Sequence, residues 1–122
     1  MPADPDTRYD EIVRKDVRYT REAYDFVSEA LQYTIKRKGV PGHISGQELL
    51  AGIRGYAKER FGLLARAVFN SWGVKRTEDF GEIVFNMVKH NLLQKRAEDS
   101  IADFCDGYNF RHAFEEEFDF EI

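Results

Sequence analysis

Between Thr20 and Leu93 apolar side chains recur at every third or fourth position, and no proline follows Pro41. That spacing places the apolar groups on one face of an α-helix, whereas a half-buried strand would alternate in and out. Proline is the strongest helix breaker, so its absence after Pro41 leaves long helices free to form. The pattern predicts a mainly α fold of about five helices in one compact domain.

The helices can be placed from their faces and their ends. Tyr9, Ile12 and Val13 mark a short helix over about 7–16, with Asp6 as its cap. Thr20 caps a longer helix reaching about Arg37, with Ala23, Phe26, Val27, Ala30, Leu31 and Thr34 inward. Lys36, Arg37 and Lys38 sit at its negative dipole end, and Gly39-Val40-Pro41-Gly42 stops it. Ser45-Gly46-Gln47-Glu48 is a capping box opening a helix with Leu49, Leu50, Ile53, Tyr56 and Ala57. Gly52 and Gly55 inside that helix each cost about 1 kcal/mol against alanine, which calls for close approach of another helix. Gly62 breaks the chain before a helix carrying Leu63, Leu64, Ala67, Val68 and Trp72. Thr77 caps the last one, with Phe80, Ile83, Val84, Met87 and Val88 on its buried face.

Ten Phe, six Tyr and one Trp in 122 residues supply a core large enough for one domain without staples. Cys105 is the single cysteine, so no intramolecular disulfide forms. The first residues lack a basic-then-apolar leader, and no apolar run nears the ~18 residues of a membrane helix. A cytoplasmic protein without membrane attachment is expected.

The net charge of −4 hides an asymmetry. Residues 1–97 hold 17 basic and 13 acidic side chains, whereas 98–122 hold one basic and nine acidic. The domain therefore divides into a short N-terminal helix and arm (1–19), a helical core (20–97) and an acidic, aromatic-rich segment (98–122). That last segment carries Phe104, Tyr108, Phe110, Phe114, Phe118 and Phe120, far more aromatics than a solvated acidic tail would hold. It is expected to dock on the core, and it is the candidate interaction segment. Phe118, Phe120 and Ile122 alternate at strand spacing.

Several motifs together resemble a small family of uncharacterised bacterial proteins, mostly planctomycete and verrucomicrobial. They are Ala23-Tyr24-x-Phe26-Val27-x-x-Ala30-Leu31, His43-x-Ser45-Gly46-Gln47-Glu48-Leu49-Leu50, Trp72-Gly73-Val74, and Arg76 to Asn86 followed by Asp103-Phe104. The resemblance spans roughly Tyr19 to Phe114. It implies a bacterial, cytosolic protein and brings no activity, cofactor or site residue with it.

Catalytic and metal-binding patterns find no support. Cys105, His43, His90 and His112 stand at no zinc-ligand spacing. Asp103 to Asn109 lacks oxygen ligands at the alternating positions of a calcium loop. Cys105 lies among acids, which disfavour its thiolate, and Ser28, Ser45, Ser71 and Ser100 have no nucleophile-elbow glycines. Gly39-Val40-Pro41-Gly42 lacks the lysine and spacing of a phosphate loop. No catalytic, cofactor or metal residue is assigned.

The element order also fits a winged helix, with a small β-hairpin over about 92–104 after the Thr77 helix. Lys75, Arg76, Lys95 and Arg96 are then the candidate nucleic-acid contacts, and Arg14, Lys15, Arg18 and Arg21 form a second basic face. Glu78, Asp79 and Glu82 at the groove-entering end of that helix argue against it, because they would meet phosphates. The leading expectation is a non-catalytic helical module that binds a protein partner or itself. A nucleic-acid-binding regulator is the alternative, and an enzyme of unrecognised type the third reading.

Overall fold

The computed structural model describes residues 5–39, 44–90, 92–93, 104 and 107–116. Their order is α1 (Pro5–Lys15), α2 (Arg21–Lys38), α3 (Gly46–Phe61), a 3-10 turn (Gly62–Leu64), α4 (Ala65–Ser71), α5 (Thr77–Lys89) and a closing π-helical turn (His112–Glu116). The fold is mainly helical, and there is no strand among the described residues. Most of the hairpin expected over 92–104 lies outside them, as do Lys95, Arg96, Phe118 and Phe120. Leu92 and Leu93 follow α5 as a bend rather than as strand, so a wing is not supported.

Local signals explain most helix ends. The Ser45 hydroxyl accepts from the Glu48 N–H at 3.0 Å while the Glu48 carboxylate accepts from the Ser45 N–H at 3.0 Å, closing the capping box. Lys38 reaches Glu48 at 3.1 Å and ties the end of α2 to the start of α3. Two caps differ from expectation. Pro5 opens α1, a position where its missing N–H costs nothing, so Asp6 lies inside that helix. Thr77 is the first residue of α5 rather than its cap, and it is buried. Asp79 caps α5 from within: its Oδ2 accepts from the N–H groups of Lys75 at 2.8 Å and Arg76 at 3.2 Å. The Thr77 hydroxyl instead accepts from the Gly107 N–H at 3.1 Å, binding the C-terminal segment to α5.

Helices α2 and α3 form the largest helix pair, and glycine lets them close together. A Cβ at Gly52 would collide with the Thr34 hydroxyl, and one at Gly55 would stand 3.1 Å from the Tyr33 Oη. Thr34 is buried but satisfied, donating to the Ala30 carbonyl at 2.7 Å. The propensity lost at these glycines is thus recovered in interhelical packing around Val27, Ala30, Ile53 and Ala57, all fully buried.

At the other end of the bundle the core is aromatic and centred on Phe69 in α4. Its ring lies 5.2 Å from Phe26, 5.8 Å from Trp72, 5.3 Å from Phe80, 5.5 Å from Phe110 and 5.4 Å from Phe114, centroid to centroid. Edge-on and tilted pairs at such separations contribute about 0.5–1.5 kcal/mol each beyond area burial. α2, α4, α5 and the C-terminal segment therefore meet at one side chain.

Here the expected phase fails. The sequence predicts one core helix carrying Leu63 and Leu64 with Ala67, Val68 and Trp72, yet Leu64 is 67% exposed and Ala65 and Phe69 are the buried pair. Gly62 takes a positive φ of 55°, and the 3-10 turn after it advances three residues per turn instead of 3.6. The rotation carries both leucines outward before α4 begins.

Candidate interaction surface

The segment joining α1 to α2 is held against α5 by a polar network. Arg18 grips Asp16 through both carboxylate oxygens, Nε to Oδ1 at 2.9 Å and Nη2 to Oδ2 at 2.6 Å, and Nη2 also meets Glu82 at 3.4 Å. Asn86 donates from Nδ2 to Asp16 Oδ2 and to the Tyr24 Oη, both at 3.0 Å. Buried Tyr19 donates to Asp79 Oδ1 at 2.6 Å. Beneath the loop, Gly73 adopts a φ of 88°, and a Cβ there would collide with the Arg18 carbonyl. The Thr20 N–H donates to the Trp72 carbonyl at 3.2 Å.

These contacts displace the ionisable groups from their ordinary ranges. The Arg18 hydrogen bonds hold the Asp16 carboxyl far below the usual carboxylate range, with the Asn86 amide assisting and partial burial opposing. Burial, then the bond to Asp79, pushes the Tyr19 phenol well above its usual value. A depressed carboxyl binds protons more weakly folded than unfolded, so its contribution is present above the unfolded value of about 3.9 and fades as pH falls below it. Asp16→Asn is accordingly expected to lower the urea midpoint at about pH 7, with the gap to wild type narrowing at about pH 3, where the unfolded carboxyl is already protonated. An equal gap at both values would show that Asp16 acts through its shape alone.

The network leaves apolar groups outside. Val17, between Asp16 and Arg18, is 84% exposed, and Phe85, between Glu82 and Asn86 on α5, is 43% exposed. Asp16 reaches Asn86 and Arg18 reaches Glu82, so the turn that carries Val17 is tied to the stretch of α5 that carries Phe85. Glu78, Glu82, Phe85 and Lys89 follow one another at helical spacing along the side of α5 opposite its buried Phe80, Ile83 and Met87. Leu63 and Leu64 form a second exposed apolar spot at the α3–α4 corner.

The residues singled out from sequence fall in distinct places. Phe104, Phe110 and Phe114 are buried in the core. Tyr108 donates to the Leu50 carbonyl at 2.8 Å, and Arg54 stacks over its ring at 5.8 Å. Burial pushes the Tyr108 phenol up. These four rings thus face the chain's own interior. Lys75 and Arg76 are exposed just before α5. Of the N-terminal basic group, Lys15 meets Glu11 at 3.9 Å, Arg18 meets Asp16 and Glu82, and Arg21 meets Asp10 and Asp25 at 3.6 and 3.3 Å while covering Tyr9. A phosphate backbone approaching α5 would meet the carboxylates of Glu78 and Glu82 on its outward side.

His90 Nδ1 lies 3.0 Å from the Asn86 carbonyl at the end of α5, and the His112 N–H donates to Asn109 Oδ1 at 3.1 Å. His43 and Cys105 lie outside the described residues. Among the described residues, no group of three or more His, Cys, Asp or Glu could hold a metal ion, and no helix is long and apolar enough to cross a membrane. Val17 and Phe85 were missed from sequence, although Phe85 does fall out of phase with the Phe80–Ile83–Met87 face. No protein family, curated protein or solved structure matches the chain.

Proposed function

We propose that the chain is a non-catalytic helical interaction module, a cytoplasmic member of the bacterial family its motifs resemble. The observation that carries this reading is the exposure of Val17, Leu64 and Phe85, with Val17 on a turn that Asp16, Arg18, Glu82 and Asn86 tie to α5. Asp16, Tyr19 and Tyr108 owe their displaced titration to structural bonds and burial, so none is left poised for proton transfer. Large exposed apolar groups on a folded support are what a docking partner desolvates with little ordering cost.

Position-specific photo-crosslinking in cells tests the reading. A photoreactive side chain at Leu64 or Phe85 is expected to yield a discrete protein adduct, and one at exposed Lys36 or Gln47 none. Identical labelling at all four positions, or none at any, would overturn it.

A further inference from the structure

We infer that the outward side of α5 is a two-fold interface between two copies of this chain. The inference rests on the interaction-module reading and names its partner. Along α5 the outward residues run Glu78, Glu82, Phe85, Lys89: acids before the aromatic ring, a base after it. At about 1.5 Å rise per residue, Glu82 lies roughly 4.5 Å before Phe85 and Lys89 roughly 6 Å beyond it. When a second α5 lies antiparallel with the two Phe85 rings at the crossing point, Glu82 of each copy comes level with Lys89 of the other. A parallel arrangement would set glutamate against glutamate. The charge order is therefore self-complementary under a two-fold axis, the requirement for an isologous dimer.

The loop completes the surface. Arg18 on Glu82 and Asp16 on Asn86 tie the turn that carries exposed Val17 to the same stretch of α5, so each copy adds Val17 to the exposed apolar area around Phe85, rimmed by charge. One helix face and one loop make a small interface, at the low end of the size range, so the dimer is a weak and reversible one. Dissociation in the micromolar range is expected.

Sedimentation equilibrium of the full chain at about 5–500 μM provides the test. Wild type is expected to pass from monomer to dimer mass across that range, while Phe85→Asp, Glu82→Lys and Lys89→Glu each stay monomeric. An equimolar mixture of the Glu82→Lys and Lys89→Glu chains is expected to recover the dimer, because both cross-pairs then unite opposite charges. A misfolded variant could not produce that recovery. Wild type remaining monomeric throughout, single variants dimerising as wild type does, or a mixture that stays monomeric would overturn the inference. Position-specific crosslinks to a different protein would leave the interaction-module reading standing in that event, and loss of both results would remove both.

Discussion

Deleting residues 104–122 is expected to abolish cooperative unfolding rather than to trim a solubilising tail. The deletion takes Phe104, Phe110 and Phe114 out of the core and strips Phe69 and Phe80 of ring neighbours. It also removes the Gly107 bond to Thr77 and the Tyr108 bond to Leu50, leaving a buried hydroxyl and a buried carbonyl to find other partners. Loss of one buried Phe costs about 3–5 kcal/mol. Three such losses, about 9–15 kcal/mol, are comparable with the about 5–15 kcal/mol by which a domain of this kind is stable. Urea titration followed by circular dichroism would show a sloping baseline in place of a transition. A deleted chain unfolding cooperatively near the full-length midpoint would mean that the segment is dispensable. Glu115→Gln is the matching control for charge: it breaks only a half-exposed 3.2 Å pair with Arg66, a change expected to cost less than about 1 kcal/mol.

Phe69→Ala is expected to be the most damaging single substitution, at about 3–5 kcal/mol, while Leu64→Ala stays within about 0.5 kcal/mol of wild type. Phe69 is fully buried and packs against rings from α2, α5, the C-terminal segment and Trp72 just after α4, so a local shift cannot easily refill the space it leaves. Leu64 faces solvent and leaves no cavity. Denaturant midpoints of the two variants separate the observed packing from the arrangement that periodicity alone would favour, in which Leu64 belongs to the core. Comparable losses at both positions would contradict the outward rotation of the 3-10 turn.

That turn shows where sequence reasoning stops working. Periodicity located α2, α3 and α5 because each is long enough for a 3.6-residue repeat to declare its inner face. The Ser45 box was legible because both of its bonds lie within four residues. The close approach at Gly52 was legible because glycine within a helix needs a reason, although its partner, Thr34, was not. After Gly62 a single turn of different pitch rotates everything that follows, and nothing in Leu63-Leu64 announces it. The cap of α5 was misassigned for a related reason: Thr77 is a good capping residue locally, but a distant amide at Gly107 claims its hydroxyl, and Asp79 does the capping. The surface over α5 was hidden too, since the pairs that build it, Arg18 with Glu82 and Asp16 with Asn86, join residues 64 and 70 positions apart.

Which aromatic groups lie inside decides where a partner can bind. If Tyr108, Phe110 and Phe114 close the core, the stretch 107–116 is structural, and binding falls to the outer surface with Val17 and Phe85. Native-state hydrogen exchange of the full chain tests this directly. The Ala113 amide, bonded to the Asn109 carbonyl at 2.8 Å, is predicted to exchange as slowly as the core amides of α2 and α3, through the same global opening. Fast exchange at Ala113 while α2 and α3 remain protected would show a core closed without the segment, contradicting the account.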